Sequence, residues 1–201
     1  FASLREALGS DSVLTAAESC VAFECDALTA HRRTPDLVVL PGSTAEVQSV
    51  LRIAAAHGTP VVARGAGTGL SGGALPVEGG LLLVLSKLDR ILEIDPARRL
   101  ARVQPGVTTL AISEAARPHG LFYAPDPSSQ VACTIGGNVA ENSGGVHCLK
   151  YGLTVHNLLE VPLASCDGEI VTVGSALGEA PGLWLLPLVT GSEGMLGVVV
   201  E

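Results

Sequence analysis

The ten residues Arg64-Gly65-Ala66-Gly67-Thr68-Gly69-Leu70-Ser71-Gly72-Gly73 constrain this chain more than any other segment. Half of them are glycine, so the stretch has almost no side chains with which to build a core. It follows directly on the apolar run Pro60–Ala63, which reads as a strand. Glycine tolerates backbone conformations closed to other residues and lets a main chain approach a partner without a Cβ in the way. Successive N–H groups in such a loop form a concave anion site, a nest for phosphate. Thr68 and Ser71 add hydroxyl donors.

Several readings compete for this loop. Gly67-Thr68-Gly69-Leu70-Ser71-Gly72 matches the GxGxxG spacing of nicotinamide dinucleotide sites. That fingerprint needs a helix opening at its last glycines, whose N-terminus holds the pyrophosphate. Here Gly73-Ala74-Leu75-Pro76 follows, and then another strand. A Walker loop requires GKS or GKT after the glycines, and neither is present. A glycine hairpin without a ligand stays open as an alternative.

Upstream, Leu37–Leu40 reads as a strand between two prolines. Ser43-Thr44-Ala45-Glu46 fits a capping box. It opens a helix that puts Val47, Val50, Leu51 and Ala54 on one face and ends at Gly58. Residues 36–63 thus form a strand–helix–strand unit, the parallel crossover that is right-handed in folded proteins. Residues 1–30 read as a helical lead-in with few anchors. Downstream, Leu81–Leu85, Ile91–Asp95 and Ala101–Gln104 read as strands, and Thr108–His119 as a helix stopped by Gly120. Leu158–Ala164 and Ile170–Val173 flank Asp167-Gly168, a hairpin signal. Pro162 lies inside the first of these strands and lacks a ladder donor, which points to an edge or locally broken strand. Leu183–Val189 reads as a short helix, Gly191–Gly194 as a turn before a last strand. The fold class is α+β.

Residues 124–157 are expected to be one long irregular stretch, rich in Gly, Asn, Ser and Pro, with apolar residues interspersed throughout. Loops that long inside a domain are usually functional or disordered. Pro125-Asp126-Pro127-Ser128-Ser129 is rigid and carries hydroxyls. Two Gly-Gly pairs follow beside asparagines, at Gly136-Gly137-Asn138 and Asn142-Ser143-Gly144-Gly145. They suit a backbone wrapped on a flat, polar ligand whose edge alternates donors and acceptors, although a set of self-satisfied turns fits too.

Composition excludes several classes. The net charge of −8 leaves no basic stripe for nucleic acid. No run of about 18 apolar residues is present to cross a membrane. Five cysteines, an odd number without CxxC, fit reduced thiols and a cytoplasmic location better than a disulfide framework or zinc site. His57 and His119 precede glycines at helix ends and suit dipole capping. His147 and His156 lie in the long stretch, and His147 is the one catalytic candidate. No clustered metal-ligand set appears. The chain starts at Phe1 and ends just past the apolar run Met195–Val200, so it is expected to be a piece of a longer protein.

At Cys25–Leu28, Arg64–Pro76, Val103–Gly106, Tyr123–Ser129, Thr134–Gly152 and Thr190–Gly197 the sequence resembles the FAD-linked subunit of glycolate oxidase and the D-lactate and D-2-hydroxyglutarate dehydrogenases. These are flavoproteins of the vanillyl-alcohol oxidase/p-cresol methylhydroxylase type. The resemblance implies a two-lobed FAD-binding domain over 31–201, with lobe one at about 31–95, lobe two at about 96–201, and a substrate-cap domain beyond. It implies that Arg64, Gly65, Ala66, Gly67, Thr68, Gly69 and Ser71 bind the diphosphate. Pro125, Asp126, Ser129, Gly136, Gly137, Asn138, Asn142, Gly145, Gly152, Val155 and Val198 would line the rest of FAD. Covalent-flavin members carry a histidine in the first glycine loop, where this chain has Ala66, Thr68 and Leu70, so the FAD is expected to be non-covalent. The implied activity is oxidation of glycolate or D-lactate, a 2-hydroxy acid, with substrate and catalytic residues past Glu201. The implied partners are an iron–sulfur subunit and a second flavoprotein-like subunit, which would bring the protein to the membrane. The alternative is a non-catalytic nucleotide-binding or docking module of a larger flavoprotein complex.

Overall fold

A computed structural model describes residues 1–178 and 182–201. The chain opens with α1 (Ala2–Leu8), β1 (Val13–Leu14) and a short α2 (Ala17–Cys20), followed by β2 (Val38–Val39). Next come α3 (Thr44–Ala56), β3 (Val61–Arg64) and β4 (Leu81–Val84). These strands form one sheet in the order β1-β2-β4-β3. β2 and β3 both run parallel to β4, so the expected strand–helix–strand unit exists with β4 inserted between its strands. The first thirty residues are more than a helical lead-in. β1 pairs antiparallel with β2, while Leu4 and Cys20 are buried.

α3 forms where the capping signal places it. Ser43 Oγ accepts from Glu46 N at 3.2 Å. Glu46 Oε2 accepts from Gly42 N at 2.7 Å, one residue earlier than a reciprocal box would place it. Val47, Val50, Leu51 and Ala54 are all buried against the sheet, in one cluster with Val39, Leu81 and Leu83.

The second half begins with the antiparallel pair β5 (Ile91–Asp95) and β6 (Leu100–Val103). α4 (Thr109–Ala116) follows, capped by Thr108 Oγ1 accepting from Ala111 N. Its expected extension to His119 is a single 3₁₀ turn, closed by Gly120 at φ 70°. The stretch 124–157 is not one irregular loop. It contains α5 (Ile135–Glu141), capped by Thr134, and the single turn α6 (Cys148–Tyr151). The paired glycines hid α5, because glycine is a poor helix former. Here they are needed. A Cβ on Gly136 would stand 2.6 Å from Pro105 Cβ.

β7 (Glu160–Ala164) and β8 (Ile170–Gly174) make the expected hairpin; α7 (Leu186–Val189) is shorter than its predicted span, and β9 (Val198–Val199) ends the fold. The three-stranded order is β8-β7-β9, so β7 is central and Pro162 is not on an edge. Pro162 O accepts from Val200 N at 3.1 Å just past the end of β9, and the ring offers no donor in return. The sheet tolerates the proline because the β9 ladder ends there. A second core, around Val139, Val161, Leu163, Leu186 and Val199, joins α5 to this sheet. The two halves meet through α3: Gln48 Nε2 and Arg52 Nη2 donate to Gly168 O at the hairpin turn, at 2.7 and 3.1 Å.

Candidate functional site

The glycine loop leaves the carboxyl end of β3 and crosses to α5, and a groove of about 450 Å³ lies between them. One wall is the backbone of residues 64–71, 73 and 74. The other comprises Ser129, Cys133, Thr134, Gly136, Gly137, Asn138 and Glu141, with Glu193, Gly194 and Gly197–Val199 closing one side. Among the described residues, the N–H groups of 65–71 have no protein acceptor. The loop therefore carries a row of unpaired donors beside the groove. The first-turn donors of α5 are instead consumed: Ile135 N, Gly136 N and Gly137 N donate to Val107 O, Pro105 O and Thr134 Oγ1.

The glycines are required by what lies against them. A Cβ on Gly65 would overlap Thr134 Oγ1, and one on Gly67, at φ 72°, would overlap the guanidinium of Arg64. Arg64 is 6% exposed. It donates through Nη1 to Ala74 O at 3.1 Å and through Nη2 to Cys25 O at 2.9 Å. Its guanidinium stacks 5.9 Å from the Phe23 ring centre. Burial lowers its pKa, with Cys25 and Asp26 opposing. Arg64 thus holds the loop's two ends together and puts a cation beneath the donors.

Asn138 is buried in the groove wall, with its side-chain amide turned to the Tyr123 phenol. Glu141 and Glu193 add carboxylates to the opposite side, and Ser71 Oγ already donates to Glu141 Oε2 at 2.9 Å. Carboxylates accept from hydroxyls and repel phosphates. The groove therefore suits a ligand that carries both an anion and hydroxyl groups, as FAD does with its diphosphate, ribose and ribityl chain.

The structure brings Arg64, Gly65, Ala66, Gly67, Thr68, Gly69, Ser71, Ser129, Gly136, Gly137, Asn138 and Val198 to this groove. Pro125, Asp126, Asn142, Gly145, Gly152 and Val155 do not line it. They form a neighbouring packed cluster. A Cβ on Gly145 would overlap the carbonyls of Pro125 and Asp126, and one on Gly152 would stand 2.7 Å from the His156 ring. Asn142, left-handed at φ 51°, caps α5 and accepts from Val155 N at 3.1 Å. His147 also lies outside the groove. Its Nδ1 is 3.6 Å from Asp126 Oδ2, and its ring packs edge-on to Phe122 and Tyr151. Sequence reasoning missed Thr134, Cys133 and Glu141 as lining residues. Thr134 had a signal, since a Thr before Ile-Gly-Gly is a helix cap; Glu141 had none.

Comparisons with known proteins agree with this geometry. A family model described as an FAD binding domain matches residues 35–174. The glycolate oxidase subunit GlcD of Escherichia coli K12 is 58% identical over 98% of this chain, which covers 40% of that protein. GlcD of Bacillus subtilis is 44% identical over 89% of this chain and 38% of its own length. A D-lactate dehydrogenase of Archaeoglobus fulgidus is 40% identical over 89% of this chain and 40% of its own length. The chain thus spans about 40% of the length of these curated relatives. Among solved structures, alkyldihydroxyacetonephosphate synthase superposes with a TM-score of 0.80 at 22% identity, over 95% of this chain and 36% of that one, a likeness of fold. A loop of free backbone donors facing a capped helix, within a match that takes in both, identifies the family: the chain belongs to the FAD binding domain family.

Proposed function

We propose that this chain is the FAD-binding portion of a flavin-dependent 2-hydroxy-acid dehydrogenase that oxidises glycolate or D-lactate to the 2-oxo acid. The observation that carries the reading is the row of unpaired N–H groups at 65–71 beside the groove that separates them from the capped helix α5. The names of the relatives, glycolate oxidase subunit and D-lactate dehydrogenase, support the substrate class. When bound, FAD supplies the acceptor for the hydride that leaves the substrate's α-carbon as the hydroxyl loses its proton.

The chain's own part is binding. The donors at 65–71 hold the diphosphate over the buried Arg64 cation. Glu141 and Glu193 accept from hydroxyls. Pro125, Asp126, Asn142, Gly145, Gly152 and Val155 shape the adjoining wall rather than the diphosphate cradle. No histidine lines the groove among the described residues, which supports a non-covalent FAD. His147 lies outside the groove beside Asp126. The isolated chain is therefore expected to bind FAD without turnover, the behaviour of a binding module whose chemistry is completed elsewhere. Its partners would be an iron–sulfur subunit and a second flavoprotein-like subunit, with a cytoplasmic location and membrane association through them.

The test is dye-linked oxidation of glycolate and D-lactate. The reading predicts turnover by the protein with its substrate domain and none by residues 1–201 alone. A failure of the longer protein to oxidise any 2-hydroxy acid while retaining FAD would overturn the substrate assignment.

A further inference from the structure

The segment Cys25–Leu28 has no role in the groove, since none of its residues lines it. Yet it carries one of the few buried charges of the molecule, Asp26 at 5% exposure. Asp26 Oδ2 accepts from Gly72 N at 3.0 Å, and Oδ1 from Leu28 N at 3.0 Å. The next residue, Ala27, donates its N–H to Gly69 O at 3.2 Å. The residue before, Cys25, accepts from the Arg64 guanidinium through its carbonyl. Arg64 also reaches Ala74 O. The glycine loop is thus tied at Gly69, Gly72 and Ala74 to the 25–28 strap or to Arg64, besides the Ser71 hydroxyl bond to Glu141. The ties take one N–H, from Gly72, and otherwise use carbonyls. The donors at 65–71 remain free.

We propose that Asp26 is a positioning residue for the cofactor: without touching the ligand, it pre-shapes the diphosphate loop through Gly72, and so sets the affinity for the diphosphate part of FAD. The inference rests on the FAD reading above. A glycine-rich loop has more conformational freedom to lose on ordering than any other segment. A loop ordered before binding spares the ligand that cost. The carboxylate fits the task because it accepts from two N–H groups that converge on it. An asparagine offers one oxygen and turns a donor toward the second N–H.

The experiment compares FAD with riboflavin, which lacks the diphosphate. Binding of each to the full chain is followed by flavin fluorescence well below the melting temperature. Three proteins are measured: wild type, Asp26→Asn, and Leu4→Ala, a core change in α1 that lowers stability by itself. The affinity ratio FAD/riboflavin is expected to fall about tenfold or more in Asp26→Asn, the scale of one lost charge-assisted hydrogen bond. It stays at the wild-type value in Leu4→Ala despite a lower melting temperature. Faster amide exchange at Ala27 and Gly72 in the ligand-free Asp26→Asn protein accompanies the loss. A wild-type ratio in Asp26→Asn overturns the proposal, as does an equal loss for both ligands. Failure of the wild type to bind FAD overturns the cofactor reading instead, which separates the two.

Discussion

At the scale of single residues, the groove is built from positions where one added or removed group decides the outcome. Gly65→Ala and Gly67→Ala should each weaken FAD binding about tenfold or more, because a Cβ meets Thr134 in one case and Arg64 in the other, where φ is also positive. Titration of each variant with FAD checks both. Much of this was legible in the sequence. Gly65, Gly67 and Gly69 announce a backbone that something approaches closely, and a chain running on into another strand excludes the nicotinamide type. Asp26 and Glu141 were not legible as neighbours of the loop, because their proximity is created by tertiary folding across 46 residues or more.

At the scale of elements, α3 and the β7–β8 hairpin could be read because their signals are local: a Ser cap with a spaced apolar face, and Asp-Gly between two apolar runs. α5 could not, since its two glycines argue against a helix and only packing against Pro105 explains them. The same holds for β1, two residues long and held by pairing with β2. The wall next to the groove has its own titratable group. Tyr123 OH shares a hydrogen bond with Thr154 Oγ1 at 3.1 Å, and burial raises its pKa above the ordinary tyrosine value. A raised folded-state pKa means that the stability tied to the neutral phenol is fully present below about pH 10 and is lost as pH rises through the folded value. Alkaline unfolding should accordingly include a tyrosine component that disappears in Tyr123→Phe. That variant should also lose about 0.5–1.5 kcal/mol near neutral pH. Gly168→Ala should loosen the junction between the halves, because its φ is 78° and a Cβ would stand 2.7 Å from Gln48 O. We expect a cost of about 1–3 kcal/mol, measured by denaturant melts, with FAD affinity changed far less than by the loop variants.

At the scale of the whole molecule, the groove lies where the four-stranded sheet with α3 faces the half that carries α5 and β9. A ligand that spans it contacts both halves and is bound only by the folded chain. Saturation at about one hundred times the dissociation constant should add about 2.7 kcal/mol of stability. For a chain of this size that is a rise of roughly 5–10 °C in melting temperature. The central claim is that this groove holds FAD without a covalent bond, and the most direct test is the absorption spectrum of the purified protein titrated with FAD. The account predicts a saturable bound-flavin spectrum, the accompanying thermal shift, and complete release of the flavin into the supernatant on acid precipitation. Neither a bound spectrum nor a thermal shift at saturating FAD, or flavin that stays with the precipitated chain, would contradict it.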